Sequence, residues 1–456
     1  MSATDLDHAV SADAVAEPPI AYVSTRGGTP PTGIDAALIA GLAPDGGLYV
    51  PTRIPRLPDA ITRTPSASLA ATAAQALAPY FEASRLRDAL PALCARAFDF
   101  DAPLLPMRGD HDFVLELFHG PTAAFKDYAA RFLAECLAGL RAPDARDGDS
   151  VGDTTILVAT SGDTGAAVAG AFHRRPGFAV VILYPEGRVS PRQAHGLECW
   201  GDNVRTFRVA GTFDDCQRMA KTALSDRDLR ERMALTSANS ISLGRLLPQL
   251  AYYAHTARNF FAVHGVPLNL IVPTGNLGNA AAALLAQRMG FPIGEVALAS
   301  NANDVLPRFF AGGDYAPHPT LATLANAMDV GAPSNFERLR HWFADDDALR
   351  SAIRARAVDD ATIRSHVAAA PEKHGIVACP HTACGLAMLD DVRNAGDIRP
   401  WAVVATAHPA KFETIVEPLV GHEVPPPPAL AECLARPAHG EALAADDAAL
   451  RERLLS

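Results

Sequence analysis

The sequence predicts an α/β protein built from parallel sheets with helices on both faces, together with a small separate unit at the N-terminus. Three segments indicate the parallel sheets, because each is a short aliphatic run that ends in a polar turn containing glycine or proline. They are "TTILVATSGDTGAAVAGAF" from residue 154, "NLIVPTGNLGNAAAALLAQRMG" from 269 and "WAVVATAHPAKF" from 401. Continuous apolar strands are typical of sheets buried on both faces, and ligands of such folds bind at the carboxyl ends of the strands.

The composition favours small-molecule chemistry. The 456 residues carry a net charge of -11 with no block of lysine or arginine, which argues against nucleic-acid or anionic-membrane partners. No apolar run is long enough to span a membrane, and the acidic N-terminus lacks the features of a secretory signal. Seven cysteines, an odd number, favour a reducing compartment over a disulfide framework. We therefore expect a cytoplasmic protein.

The nearest approach to a metal pattern is "CPHTACG", which contains Cys379, His381 and Cys384. Its spacing matches no common zinc module, and no second cluster completes it. Structural packing is favoured over a ligand role, and we predict no metal site.

Lys126, in "FHGPTAAFKDYAARF", is a candidate for amine chemistry because it is the only lysine in the first 220 residues. The chain has four lysines among its 40 basic residues, so arginine usually supplies a bare positive charge. Apolar spacing from Phe125 onward places Lys126 in the first turn of a helix, where free N–H groups lower the pKa of an amine. Unlike a guanidinium, an amine forms a Schiff base. A structural lysine on the surface is the alternative.

Two turns, "TSGDTG" at 160–165 and "TGNLGN" at 274–279, each end a predicted strand and begin a helix. Such helix starts bind phosphate or carboxylate through backbone N–H groups. Neither turn matches the motifs of nucleoside triphosphate or dinucleotide sites, and a tight turn that caps a helix is the alternative for each. Together with a lysine at a helix start, they suggest a ligand set with two anionic ends. Pyridoxal phosphate, which needs an amine and a phosphate site, fits one of them.

The chain resembles the threonine synthase family, within the tryptophan synthase β group of pyridoxal-phosphate enzymes and in its bacterial and fungal form. The matching segments are "YVSTRGG", "GLAPDGGLYVP", "ELFHGPTAAFKD" (116–127), "TSGDTG", "ANSIS" (238–242), "VPTGNLGN" (272–279), "SNFER" (334–338) and "TAHPAKF" (406–412). The resemblance begins at about residue 21 and continues to the C-terminus. It implies a fold-type II pyridoxal-phosphate enzyme with parallel three-layer sheet domains and a small N-terminal domain.

The resemblance also implies how the chain is divided. We expect a flexible extension at 1–20, an N-terminal domain at 21–100 and a pyridoxal-phosphate-binding catalytic region at 101–456. A small lobe is expected to be inserted at roughly 110–220, with the C-terminal segment 425–456 packing on this region.

Roles toward the cofactor follow from the matched motifs. Lys126 would form the Schiff base with pyridoxal phosphate and then serve as acid and base. Thr406 would place a neutral hydroxyl against the pyridine nitrogen and leave it largely unprotonated. The cofactor phosphate would be held by the backbone of one loop, formed by Gly275, Asn276, Leu277, Gly278 and Asn279.

Six residues would meet the phosphate and carboxylate of the substrate: Ser161, Asp163, Thr164, Asn239, Ser240 and Arg245. A carboxylate beside an anion site is costly unless it orients a donor or moves a proton, so the role of Asp163 is open. A solvated helix arginine is the alternative for Arg245. Where the family usually has asparagine, this chain has Ser242, which is shorter and offers fewer hydrogen bonds.

The reaction implied by the resemblance is the β,γ-replacement that converts O-phospho-L-homoserine and water to L-threonine and phosphate. One alternative is a phospho-lyase that yields 2-oxobutanoate, ammonia and phosphate, and another is a paralogue that acts on a phosphonate analogue. A ligand sensor on the same fold is the non-enzyme alternative, against which the intact Lys126 and Thr406 argue. We expect a monomer or homodimer with no nucleic-acid or membrane partner.

Overall fold

The computed structural model describes residues 17–141 and 153–456; residues 1–16 of the predicted extension and 142–152 of the predicted lobe lie outside this description. The strands of the described residues are β1 Tyr22–Ser24, β2 Tyr49–Pro51, β3 Leu104–Pro106, β4 Asp112–Glu116, β5 Thr154–Ala159, β6 Phe178–Pro185, β7 Val204–Ala210, β8 Ala234–Thr236, β9 Leu268–Pro273, β10 Ile293–Ser300, β11 Ile353–Ala357, β12 Trp401–Ala405 and β13 Gly440–Ala444.

The α-helices of the same residues are α1 Ile34–Ala40, α2 Asp59–Thr62, α3 Leu69–Leu77, α4 Leu90–Ala97, α5 Lys126–Arg141, α6 Asp163–Phe172, α7 Pro191–Glu198, α8 Phe213–Ser225, α9 Arg227–Arg232, α10 Leu243–Leu246, α11 Leu250–His264, α12 Gly278–Arg288, α13 Val305–Phe310, α14 Phe336–Trp342, α15 Asp346–Ala352, α16 Asp360–Lys373, α17 Pro380–Asn394, α18 Glu413–Val420, α19 Pro428–Leu434 and α20 Asp447–Leu455. Short 3-10 helices lie at Ala78–Phe81, Leu247–Gln249, Asn326–Met328 and Pro409–Phe412. None of the described helices is long and apolar enough to cross a membrane.

Two large sheets form the framework of the protein. The six-stranded sheet has the order β11-β10-β9-β12-β4-β3, in which every neighbouring pair is parallel except β3 with β4. The five-stranded sheet, β13-β7-β6-β5-β8, is parallel throughout and includes β13 from the C-terminal segment. Strands β1 and β2 form a small antiparallel sheet near the N-terminus. The predicted α/β fold with parallel sheets is confirmed.

Both large sheets are buried on both faces. In β9, Leu270 belongs to a core shared with α11 and α12, whereas the next residue, Ile271, belongs to a second core shared with α16 and α17. In β5, Val158 belongs to the first core, and its neighbour Leu157 packs in a third core with α8 and α20. Successive side chains of a strand point to opposite faces, so burial on both faces explains the continuous aliphatic runs.

The order of three central strands positions the site. Strand β12 lies between β4 and β9 and is parallel to both, with Ala405 opposite Glu116 at the end of β4 and Val403 opposite Ile271. Their carboxyl ends therefore reach the same edge of the sheet. The loop after β4 leads to Lys126, the turn at 274–279 follows β9, and the loop after β12 begins at Thr406.

Helix α17 packs closely on β12 at Gly385, where an added Cβ would lie 2.6 Å from Cγ1 of Val403, a fully buried side chain. We expect Gly385→Ala to lower the free energy of unfolding by about 1–3 kcal/mol, because the helix or the strand must shift to admit the methyl group. The measurement is the urea midpoint.

Gly196, within α7, is the matched control, because a Cβ added there meets no atom within 4 Å. Gly196→Ala should leave stability unchanged or raise it by up to ~1 kcal/mol through helix propensity. Equal losses for Gly385→Ala and Gly196→Ala would contradict the close packing of α17 on β12.

Candidate active site

Lys126 is the first residue of α5, in agreement with the predicted helix start. The residues before it are held against the segment after β12: the Phe125 N–H donates to the Thr406 carbonyl oxygen at 2.9 Å, and Ala124 forms an antiparallel bridge with Ala407. The Nζ atom lies 5.8 Å from the centroid of the Phe125 ring. Because the backbone on both sides is fixed, the amine projects from a defined position at the sheet edge.

The surroundings of Lys126 favour its neutral form. Loss of solvation lowers its pKa to about 8, although part of the residue is exposed. The positive charges of Arg245 and Lys411 contribute to this lower pKa, and the negative charge of Asp163 opposes it. The sequence pointed to the helix start as the cause, whereas burial is the largest contribution in the structure. An amine with such a pKa is suited to nucleophilic attack and to proton transfer.

The backbone of the loop at 274–279 is unusual at two residues, Gly275 and Leu277. A Cβ on Gly275 would lie 2.6 Å from the carbonyl oxygen of Met328, so glycine is required there. Leu277 adopts a left-handed conformation, with φ 63°, directly before Gly278 begins α12. Strained residues of this kind cluster at ligand sites. The first N–H groups of α12 have no carbonyl partner within the helix and are therefore available to an anion.

Asn279 adds an oriented side-chain donor to this loop. Its Oδ1 atom accepts hydrogen bonds from the hydroxyls of Tyr252 at 2.6 Å and Tyr253 at 2.8 Å. Burial raises the pKa of both phenols well above the ordinary value, so they remain neutral donors. The Nδ2 atom is buried and has no hydrogen-bond partner among the described residues. The two tyrosines therefore leave the amide NH2 group free for an anion.

Asn276 joins the 274–279 loop to two other segments. Its Nδ2 donates to Oγ of Ser240 at 3.0 Å, and its Oδ1 accepts the N–H of Ser334 at 2.6 Å. The Asn335 side chain donates to the Asn276 carbonyl at 2.8 Å. The segments predicted to meet cofactor and substrate are thus in direct contact.

The segment from Asn239 to Arg245 concentrates unpaired polar groups. Within the described part of the chain, Oδ1 of Asn239, Oγ of Ser242 and Nε of Arg245 are buried without a hydrogen-bond partner. Arg245 donates through Nη1 to the Ala238 carbonyl at 2.8 Å, and burial lowers its pKa to about 10. It is 2% exposed, so it is not the solvated arginine considered as the alternative. Buried polar atoms without partners in one segment indicate a ligand site.

The turn at 160–165 follows β5 and is shaped by Thr160, whose Oγ1 accepts the N–H groups of Gly162 and Gly165, each at 3.0 Å. Gly162 has φ 131°, a conformation that L side chains rarely adopt. Ser161 and Thr164 are partly exposed at the start of α6. Both hydroxyls therefore lie where the N–H groups of the helix start are available.

The carboxylate of Asp163 forms an ion pair with a lysine that the sequence analysis did not select. Its Oδ1 lies 2.8 Å from Nζ of Lys411, and both residues are 3% exposed. Gln193 donates to the same oxygen at 3.3 Å. Burial alone would raise the pKa of Asp163, but the charges of Lys411 and Lys126 lower it well below its ordinary value. The carboxylate therefore remains ionised and is paired with a cation.

Sequence reasoning missed Lys411, Gln193, Tyr252 and Tyr253. The scarcity of lysine that singled out Lys126 applies equally to Lys411 and could have identified it. Nothing local in the sequence marks the glutamine or the tyrosines, because only the fold brings them to the site.

The segment considered for metal binding has other roles. Sγ of Cys379 accepts the Thr382 N–H at the start of α17, and Nε2 of His381 accepts the Ala327 N–H at 3.1 Å. No group of three or more histidine, cysteine, aspartate and glutamate side chains that could hold a metal is found among residues 17–141 and 153–456.

The residues at this sheet edge fit pyridoxal phosphate. The amine of Lys126 suits its aldehyde, and the free NH2 group of Asn279 with the N–H groups of the 274–279 loop suits its phosphate. Thr406 directly follows β12, and its carbonyl oxygen accepts the N–H of Phe125, the residue before Lys126.

Comparison with known protein families gives matches over most of the chain. The family model for pyridoxal-phosphate-dependent enzymes matches residues 108–410, and models for the N-terminal and C-terminal parts of threonine synthase match 21–98 and 382–454. The threonine synthase of Haemophilus influenzae is 37% identical over 419 residues, which cover 92% of this chain and 96% of that protein.

Two solved structures share the whole architecture. The Escherichia coli threonine synthase has a TM-score of 0.85 and 35% identity, covering 95% of this chain and 99% of that one. The pyridoxal-phosphate-bound threonine synthase of Brucella melitensis has a TM-score of 0.86 and 32% identity, covering 95% and 98%. The chain therefore belongs to the threonine synthase family of pyridoxal-phosphate-dependent enzymes.

Proposed function

We propose that this enzyme converts O-phospho-L-homoserine and water to L-threonine and phosphate. The observation that carries the proposal is the position of Lys126. Its amine has a lowered pKa and lies near the buried cation Arg245 and the start of α6. A substrate with a carboxylate at one end and a phosphate at the other matches two anion-binding segments. The names of the relatives support the same reaction.

The cofactor is assigned to the edge of the six-stranded sheet. Lys126 would bind it covalently, and the loop from Gly275 to Asn279 would hold its phosphate, with the free NH2 group of Asn279 as an additional donor. The Thr406 hydroxyl would be the neutral partner of the pyridine nitrogen. Bound pyridoxal phosphate supplies an electron sink for the negative charge that develops on the substrate.

The substrate is assigned to the facing segments. The hydroxyls of Ser161 and Thr164 and the N–H groups at the start of α6 receive the carboxylate, because a helix start favours negative charge. Asn239, Ser240 and Arg245 receive the phosphate. The support for this orientation is the unpaired Nε of Arg245, since a buried guanidinium with a free donor is suited to a phosphate oxygen.

The reaction requires several proton transfers at defined atoms. Protons leave Cα and Cβ, the C–O bond at Cγ breaks and releases phosphate, Cγ gains a proton, water adds a hydroxyl at Cβ, and Cα regains its proton. Lys126 serves as the acceptor and donor, because a pKa of about 8 lets one amine perform both roles near neutral pH. Arg245 and the neighbouring donors stabilise the leaving phosphate.

A cytoplasmic location and a monomeric or homodimeric state belong to the same proposal. All seven cysteines are free and buried, which supports a reducing compartment.

Incubation of the cofactor-loaded enzyme with O-phospho-L-homoserine should yield threonine and phosphate in equal amounts, measured by mass spectrometry and a phosphate assay. Lys126→Ala should abolish turnover, because the amine that binds the cofactor and moves the protons is lost. Phosphate that appears with 2-oxobutanoate and ammonia would establish the phospho-lyase instead. No turnover of this substrate would overturn the proposal and direct the search to phosphonate analogues.

Arg245→Met should raise KM for O-phospho-L-homoserine by roughly 10- to 100-fold, because a hydrogen bond to a charged group contributes about 1.5–3 kcal/mol. Initial-rate kinetics give the measurement. Arg258→Met is the matched control: this arginine is 3% exposed but bonds to Thr64 and Gln75, away from the site. It should lower the unfolding midpoint and leave KM unchanged, whereas equal KM values for both variants would contradict the role of Arg245.

A further inference from the structure

Lys411 is a second lysine of the active site, and unlike Lys126 it is buried. Its amine forms one ion pair and one hydrogen bond. Nζ lies 2.8 Å from Oδ1 of Asp163 and donates to the Thr122 carbonyl at 2.7 Å. Lys411 and Asp163 are each 3% exposed. A buried ammonium or carboxylate group is stable only when an opposite charge is paired with it. Loss of either Lys411 or Asp163 would therefore leave the other charge buried without a partner.

The backbone near Lys411 connects the two large sheets. Its carbonyl oxygen accepts the Ser190 hydroxyl at 2.6 Å, and the preceding carbonyl, of Ala410, accepts Nη1 of Arg192 at 2.9 Å. Ser190 and Arg192 lie at the start of α7, next to the five-stranded sheet, whereas Lys411 follows β12 of the six-stranded sheet. The ion pair with Asp163 is therefore supported by neighbouring contacts between the same two parts of the protein.

The second partner of Lys411 links it to the turn that precedes Lys126. Thr122 donates through its N–H and Oγ1 to the Asp127 carboxylate, at 2.8 and 2.6 Å. Asp127 is the residue after Lys126. Lys411, through the Thr122 carbonyl, thus holds the closed turn from which the reactive amine projects.

The charges that act on Lys126 come from several elements. Asp163, at the start of α6, favours its protonated form, whereas Arg245, in α10, and Lys411 oppose protonation. His381, at the start of α17, also lies within range, but burial lowers its pKa to about 4 and keeps it neutral. Asp163 would favour the charged amine much more strongly if its own charge were not paired.

We propose that Lys411 is a positioning residue of the active site. It balances the charge of Asp163 and fixes the turn at Thr122. As a result, the Asp163 carboxylate does not hold the amine of Lys126 in its protonated form. This inference rests on the proposed function in one respect, since it takes Lys126 as the reactive amine. It also gives Asp163 a role, as the carboxylate through which Lys411 connects the substrate-binding turn to the cofactor-binding edge.

The test is competitive acetylation of the cofactor-free protein with trace acetic anhydride between pH 6 and 11, followed by peptide mass spectrometry. The chain has four lysines, so each is assigned without ambiguity. Lys411→Met should raise the labelling midpoint of Lys126 by about one pH unit or more, because an unpaired carboxylate now faces the amine. Asp163→Asn should lower the midpoint, and the double variant should return it toward the wild-type value.

Lys373→Met is the control, because Lys373 pairs with Asp390 at 2.6 Å on the exposed surface and should leave the Lys126 midpoint unchanged. An unchanged midpoint in folded Lys411→Met, checked by circular dichroism, overturns the proposal. If that variant does not fold, Asp163→Asn decides, and an unchanged Lys126 midpoint in Asp163→Asn overturns the proposal. The labelling needs neither cofactor nor substrate. A failed turnover assay with the expected midpoint shifts would therefore reject the proposed reaction and leave the role of Lys411 intact.

Discussion

The position of β12 between β4 and β9 is the constraint on which the active site depends. Neighbouring strands of a sheet lie about 4.8 Å apart, so the ends of three adjacent parallel strands fall within about 10 Å of one another. One end leads to Lys126, the second to the 274–279 loop, and the third to the segment that contains Thr406 and Lys411. An amine, an anion site and a hydroxyl therefore meet although they are distant in sequence.

The charges at this edge are not balanced by the protein alone. The positive charges of Arg245 and Lys411 act on Lys126 there, Asp163 is paired with Lys411, and the Asp127 carboxylate acts on Arg245. Burial lowers the pKa of both Lys126 and Arg245, which shows that their charged forms are under-solvated. An anionic ligand would supply the missing negative charge, so its binding would stabilise the charged forms of Lys126 and Arg245.

Local sequence patterns were sufficient to predict the α/β fold and the helix that begins at Lys126. They also predicted the turns at 160–165 and 274–279, each of which begins a helix. Strands, turns and helix starts can be predicted in this way because each leaves a signal within a few residues. The pairs Asp163 with Lys411 and Asn279 with Tyr253 could not be predicted, since each joins residues that only the tertiary fold brings together. For the same reason the sequence left the role of Asp163 open. The domain boundaries and the individual site roles stay predictions.

The backbone of the segment that contains Ser242 is anchored by a contact that does not involve the Ser242 side chain. Arg338, a fully buried arginine in α14, donates to the Ile241 carbonyl at 2.7 Å and to the Tyr49 carbonyl at 3.1 Å, and it also bonds to Asn335. The backbone next to Ser242 is thus anchored from outside the segment. A Ser242→Asn change would therefore alter the hydrogen bonds that residue 242 offers to a ligand, while the backbone contact of Arg338 at Ile241 would remain.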